Sequence, residues 1–318
     1  PDNKIIPLSG ISNLKTIFCN ENRYYANYKS DKYGFRNQDD IWDQEVIDYL
    51  LLGDSFVHGA CVMNKDTISE IIRKKTQSNV LNLGMSGNGP IRNLAVMREY
   101  ILKKKIKKLL YFHYAGNDWE DIIIEKSNPI LNNYLKDINF TQDLIKKTKK
   151  LDELRFKKLK DSKKLFLNKQ NKRRYEKTIQ NQKTIFKIIK LQNIRKKLRG
   201  KISEYKNFKF HKIPNKENQI LFYSILKEIL NISSKNETEF YFIYIPDKNI
   251  YDASEGSIRY SHFEKDLTLS IIKKMNIKYI DLYEEKKKII IDPLKLISGH
   301  YNEIGYNVIT NIVLNKIQ

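Results

Sequence analysis

The chain has 318 residues, with 59 Lys+Arg against 37 Asp+Glu for a formal charge of +22, and 41% hydrophobic residues. That apolar share excludes wholesale disorder and a fibrous chain, and the length admits two domains or one α/β domain carrying an insertion. Two cysteines, Cys19 and Cys61, are too few for a disulfide framework or a thiolate metal cluster, and no apolar run nears the roughly 18 residues of a spanning helix.

Residues 1–45 read as a lead-in; the chain starts at Pro1 with no basic-then-apolar leader, which leaves room for a signal or anchor upstream. The first strand-like run is Val46 to Gly53 (VIDYLLLG), and a capping box at Thr67-Ile68-Ser69-Glu70 opens the helix after it. Val80 to Gly84 (VLNLG) gives a second strand, Pro90 fits the first turn of the next helix, and Leu109 to Gly116 (LLYFHYAG) gives a third strand. Residues 141–213 then interrupt the alternation. Lys146 to Lys212 alone carries 26 Lys+Arg against 5 Asp+Glu, whereas the rest of the chain is nearly neutral. This segment has no Pro, one Gly (Gly200), and an apolar stripe at Ile185, Ile188, Leu191, Ile194, Leu198 and Ile202, so a basic insertion of two helices is expected. Beyond it, helical patterns at Glu217 to Leu230, His262 to Met275 and Asn302 to Ile317 alternate with strands at Phe240 to Pro246 and Lys278 to Tyr283. Strands alternating with helices imply an α/β fold with a doubly wound parallel sheet, residues 46–140 and 214–318 forming its two parts.

Ligands of such sheets bind beyond the carboxyl ends of the strands. Here those ends read Gly53-Asp54-Ser55, then Gly84-Met85-Ser86-Gly87-Asn88-Gly89-Pro90, then Ala115-Gly116-Asn117-Asp118. They offer a hydroxyl, a glycine amide and a side-chain amide, a set suited to acyl transfer: Ser55 as nucleophile, and the Ser55 and Gly87 amides with the Asn117 side chain as donors to an oxyanion. The plainer readings are a helix cap for Ser55, loop ties for Asp54 and Asp118, and turn chemistry for Gly84, Gly87 and Gly89. Of the five histidines, His113 lies inside a strand, His211 ends the basic insertion, His262 reads as opening a helix, and His58 sits three residues past Ser55, an awkward approach to the hydroxyl. His300, in the loop entering the last helix, can reach the same sheet edge and is the expected base.

These blocks resemble those of the SGNH, or GDSL, hydrolase superfamily. Gly53-Asp54-Ser55 resembles its nucleophile block, Ser86-Gly87-Asn88 and Gly116-Asn117-Asp118 its two oxyanion blocks, and His300 with Asn302 and Gly305 its histidine block, in the family's order. The resemblance implies a three-layer, flavodoxin-like sheet and a serine esterase without metal or organic cofactor. Tyr33-Gly34-Phe35-Arg36-Asn37 also looks like the lead-in of bacterial members associated with surface polysaccharide, which implies an acylated glycan as substrate, by hydrolysis or acyl transfer, in the cytoplasm or the cell envelope. One block departs from the pattern: where the family places an aspartate two or three residues before the histidine, this chain has Ser298 and Ile297. Asp292 is the nearest acid in sequence, and the Ser298 hydroxyl or a backbone carbonyl is the alternative support for the ring. An esterase fold that has lost its acid and docks on an anionic polymer or membrane through Lys146 to Lys212 is the second reading. No nucleic-acid module stands out, and Arg is sparse relative to Lys, so base-specific recognition is not expected.

Overall fold

In the computed structural model, which describes residues 5–101, 104–182, 214–297 and 299–317, the apolar runs pair side by side as one parallel sheet. Its strands are β3 (Val46–Leu52), β4 (Val80–Asn82), β5 (Lys105–Tyr114), β6 (Glu239–Ile245) and β7 (Lys278–Asp281), in the order β4-β3-β5-β6-β7. Alternate side chains sort to opposite faces, as the two-residue period of a strand requires. On β5 and β6, Leu109, Tyr111, Phe240, Phe242 and Tyr244 enter one core, and Leu110, Phe112, Tyr241, Ile243 and Ile245 the other. The first core is covered by α3 (Pro90–Tyr100), α7 (Lys216–Lys235) and α8 (Glu255–Lys274), the second by α2 (Ile68–Thr76) and α10 (Glu303–Ile317), giving the expected three layers. Two buried faces explain why the strands read as continuous apolar runs. No helix among the described residues is long and apolar enough to cross a membrane.

Local signals set several boundaries. Thr67 Oγ1 accepts from the Glu70 amide to start α2, and Pro90 occupies the first turn of α3. α8 begins at Glu255 under a Ser254 cap, so His262 lies within that helix rather than at its start. Four elements were not legible as such: α4 (Asp118–Glu125), α5 (Pro129–Lys136), α9 (Leu282–Lys286), whose first two residues read as the end of the last strand, and an antiparallel hairpin in the lead-in, β1 (Lys15–Cys19) with β2 (Ala26–Lys29). Cys19 at the end of β1 is disulfide-bonded to Cys61.

Arg36 and Asn37 tie the lead-in to the sheet edge. The buried Arg36 guanidinium donates to the carbonyls of Gly59 (2.6 Å) and Val62 (2.9 Å) and to Asn64 Oδ1 (2.7 Å). Asn37 exchanges two hydrogen bonds with the backbone of Asn82 at the end of β4, both 2.9 Å. Nearby, the buried Asp31 carboxylate accepts from the Tyr33 and Phe35 amides, Asn37 Nδ2 and Trp42 Nε1.

The chain divides into two units, Pro1–Asp152 with Ile213–Gln318, and Glu153–Lys212. The first extends past the boundary expected at residue 140, because Leu144 and Leu151 are buried in its core and Asp152 accepts from the Ser12 amide. The second contains the greater part of α6 (Thr148–Gln182), whose residues 156–170 are exposed throughout, as a solvated basic helix should be. The apolar stripe from Ile185 to Ile202, with Gly200, His211 and Ser298, lies outside the described residues.

Candidate active site

β3 ends at Leu52, and the chain turns through Gly53 and Asp54 into a single helical turn, α1 (Ser55–His58). Asp54 caps it by accepting from the Phe56 amide (2.9 Å), and Gly59 in the left-handed region (φ 80°) ends it. Ser55 is thereby projected from a tight bend at the carboxyl end of a central strand. β4 and β5 flank that strand, so the loops carrying Gly87 and Asn117 rise on either side of it.

Ser55 Oγ lies 2.9 Å from His300 Nε2. The imidazole is held by a loop fixed at several points: Ile297 bridges Tyr301, the Asn302 amide donates to Leu296 O, and Asn302 Oδ1 accepts from the Gly305 amide to start α10. The Phe56 ring lies 5.1 Å from the imidazole and also contacts Tyr301 and Tyr114. Behind the loop, Tyr301 is fully buried, its hydroxyl accepting from Lys286 Nζ (2.8 Å). Lys286 has no carboxylate partner among the described residues, and burial pushes its amine down to about 7.

The carboxylate that faces His300 is not Asp292. Asp292 caps a short 3-10 turn, accepting from the Leu294 amide (3.0 Å). A carboxylate that close in sequence is committed to its own turn. His300 Nδ1 instead faces Glu21, in the turn between β1 and β2, at 3.2 Å from Oε2 and 3.3 Å from Oε1, and the His300 amide donates to the same Oε2 (2.8 Å). The approach is close: a Cβ at Gly299 would stand 2.6 Å from Glu21 Oε2. The available signal for Glu21 was the cysteine pair. Cys61 lies six residues past Ser55, and joining it to Cys19 brings residue 21 close to Ser55 and His300.

Gly87 has φ 78°, the left-handed region that favours glycine, and faces open space. Its loop is set by His58, whose Nδ1 accepts from the Ser86 amide (3.2 Å) while Nε2 meets the Tyr28 hydroxyl (2.9 Å). Burial drives His58 down to about 3, so it stays neutral and can accept; this histidine orients a loop rather than a proton. Asn117 stands at the N-cap of α4 without a capping bond, and its Oδ1 is buried and unpartnered. Among the described residues, the Ser55 and Gly87 amides meet no protein acceptor. Two backbone N–H donors at neighbouring strand ends are thus left uncommitted, as an oxyanion site requires.

Beneath them lies a buried ionisable cluster. Burial and the neighbouring Asp118 charge push Asp54 up to about 7, and burial also raises Asp118. Burial opposes a charge on His113, but Asp118 at 3.0 Å and Glu264 at 3.4 Å outweigh it and hold the ring up at about 9. Glu125 accepts from the Gly89, Ile91 and Arg92 amides at the start of α3, anchoring the Gly87 loop from its far side. Cys19, Glu21 and Cys61 place potential ligand atoms within 4.8 Å of one another, but the disulfide removes the thiolates a metal would need.

No family model matches the chain, and no curated protein matches it. Solved structures do, as far as chain path. A lipolytic protein of the G-D-S-L family from Desulfitobacterium hafniense aligns over 86% of this chain and 100% of its own, at 12% identity and a TM-score of 0.43. A lipase/acylhydrolase from Enterococcus faecalis aligns over 85% and 95%, at 12% identity and 0.43. An acetylxylan esterase from Geobacillus stearothermophilus aligns over 85% and 94%, at 11% identity and 0.43.

Proposed function

We propose that the protein is a serine esterase of the SGNH type in which Ser55, His300 and Glu21 form the catalytic triad. The observation that carries this reading is the continuous contact from Ser55 Oγ through both nitrogens of His300 to the Glu21 carboxylate. His300 Nε2 takes the proton of Ser55 as the hydroxyl attacks the ester carbonyl, and Glu21 fixes the tautomer with hydrogen on Nδ1 and stabilises the imidazolium. The Ser55 and Gly87 amides and the Asn117 side chain receive the oxyanion. His300 returns the proton to the leaving alcohol, and water, or an acceptor hydroxyl in a transferase, resolves the acyl-enzyme. An acetylated glycan, suggested by the lead-in resemblance, is the first substrate class to assay.

The binding-protein alternative rests on a missing acid, and Glu21 weighs against that premise. The experiment is covalent labelling with a fluorophosphonate probe, together with aryl acetate hydrolysis. Labelling and turnover that both vanish in Ser55→Ala support the esterase; a parent protein that neither labels nor hydrolyses sinks it.

A further inference from the structure

The Glu21 side chain is about a third exposed (36%), and an exposed ion pair or hydrogen bond of this kind contributes little on its own. In the hairpin that bears it, β2 is held by the buried Ala26 and Tyr28, but β1 is nowhere fully buried, with Ile17 68% exposed, and the turn carrying Glu21 lies beyond those anchors. Something else must keep Glu21 at the imidazole. Cys19 precedes it by two residues, and its partner Cys61 sits in the loop leaving α1, with Sγ 3.7 Å from His300 Nδ1. Two hydrogen bonds flank the covalent link: Asn22 Nδ2 donates to Cys61 O (3.0 Å), and the Tyr24 hydroxyl to Glu303 Oε1 (2.5 Å). A link spanning 42 residues removes most of the hairpin's freedom to leave, turning a weak contact into an intramolecular one.

Resting on the esterase reading above, we propose that the Cys19–Cys61 disulfide is a redox latch that positions Glu21. Closed, the protein works as a triad. Opened, it falls back to the Ser55–His300 pair. Opening takes two electrons and two protons from a dithiol. Its thiolate attacks Sγ of the half-buried Cys19, Cys61 leaves as thiolate and is protonated, and the second thiol of the reductant releases Cys19 as it closes its own disulfide. The Ser55–His300 contact has its own supports in the Phe56 packing and the Asn302 loop, so it outlasts the latch.

The test crosses two changes, the Cys19→Ser/Cys61→Ser double variant and Glu21→Gln, with kcat and KM for an aryl acetate read in EDTA so that metal capture plays no part. If the latch acts through Glu21, the cysteine variant loses about 10- to 100-fold in kcat with KM within about twofold, less than the roughly 10,000-fold that a fixed but wrong acid can cost. Adding Glu21→Gln to it then costs no more than about another twofold, whereas Glu21→Gln alone is strongly impaired. Undiminished kcat in the cysteine variant overturns the latch, and so does an equal loss with and without Glu21, which marks a general structural role. Should the variant not fold, the parent is reduced with dithiothreitol, desalted anaerobically and assayed. Recovery of kcat on reoxidation supports the latch, and an unchanged rate overturns it. A parent that fails to label with fluorophosphonate when oxidised indicts the esterase reading instead.

Discussion

Glu21 and His300 are 279 residues apart in sequence, yet the glutamate carboxylate accepts from the His300 backbone amide and faces Nδ1 of the same residue. Ring and backbone are gripped together, which fixes the imidazole's tilt as well as its tautomer.

Glu21→Gln keeps the size of the side chain but removes the charge that favours an imidazolium. Its kcat on an aryl acetate should fall about 100- to 10,000-fold with little change in KM, while fluorophosphonate labelling of Ser55 slows but persists. Asp292→Asn changes only the cap of a 3-10 turn, a position Asn fills as well as Asp, and should leave kcat within about twofold. A reversed order of these two effects would return the acid to Asp292.

Asn117→Ala removes one proposed oxyanion donor and should lower kcat about 100- to 1,000-fold, with KM nearly constant. A change confined to KM would assign Asn117 to substrate binding.

Arg36→Lys shortens a fork that reaches two backbone carbonyls and the Asn64 side chain from inside the fold, which burial holds down at about 10. Stranding those acceptors should cost about 3 kcal/mol, read as a lower urea midpoint at unchanged slope.

His113 supplies a pH signature. Its pKa is raised in the fold to about 9 against an ordinary 6.5, so the folded state binds the extra proton between those values. Its contribution is fully present below pH 6.5 and is lost as pH rises through 9. The difference in Tm between the parent and His113→Gln should therefore be largest near pH 6 and shrink toward pH 9. A difference that grows with pH would mean that the ring is neutral in the fold.

The Lys-rich segment bears on partners. Removing residues 153–212, the second unit, should abolish salt-sensitive retention on an anionic resin while leaving aryl acetate turnover in place. Retention unchanged by the deletion would assign the binding to another surface.

Much of this was legible because it is local. Apolar runs of strand length, a Thr67 cap and Pro90 mark elements from neighbours a few residues away, and Ser55, Gly87, Asn117 and His300 all stand where such elements end. Glu21 carries no local mark. Nothing around Asn20-Glu21-Asn22 distinguishes it from any polar turn, and its contact with His300 exists only once a hairpin and a disulfide fold it across the chain. His262 misled for the opposite reason: an apolar pattern beginning there hid the more polar first turns that Ser254 caps.

A carboxylate delivered from the arm also frees the residues ahead of His300 from bearing charge. Ile297 uses that freedom: it is 7% exposed, packs in the apolar layer with Leu296 and Tyr301, and pairs with Tyr301 across the loop. An aspartate placed at 297 would bury an anion in that apolar layer, where its desolvation would be costly.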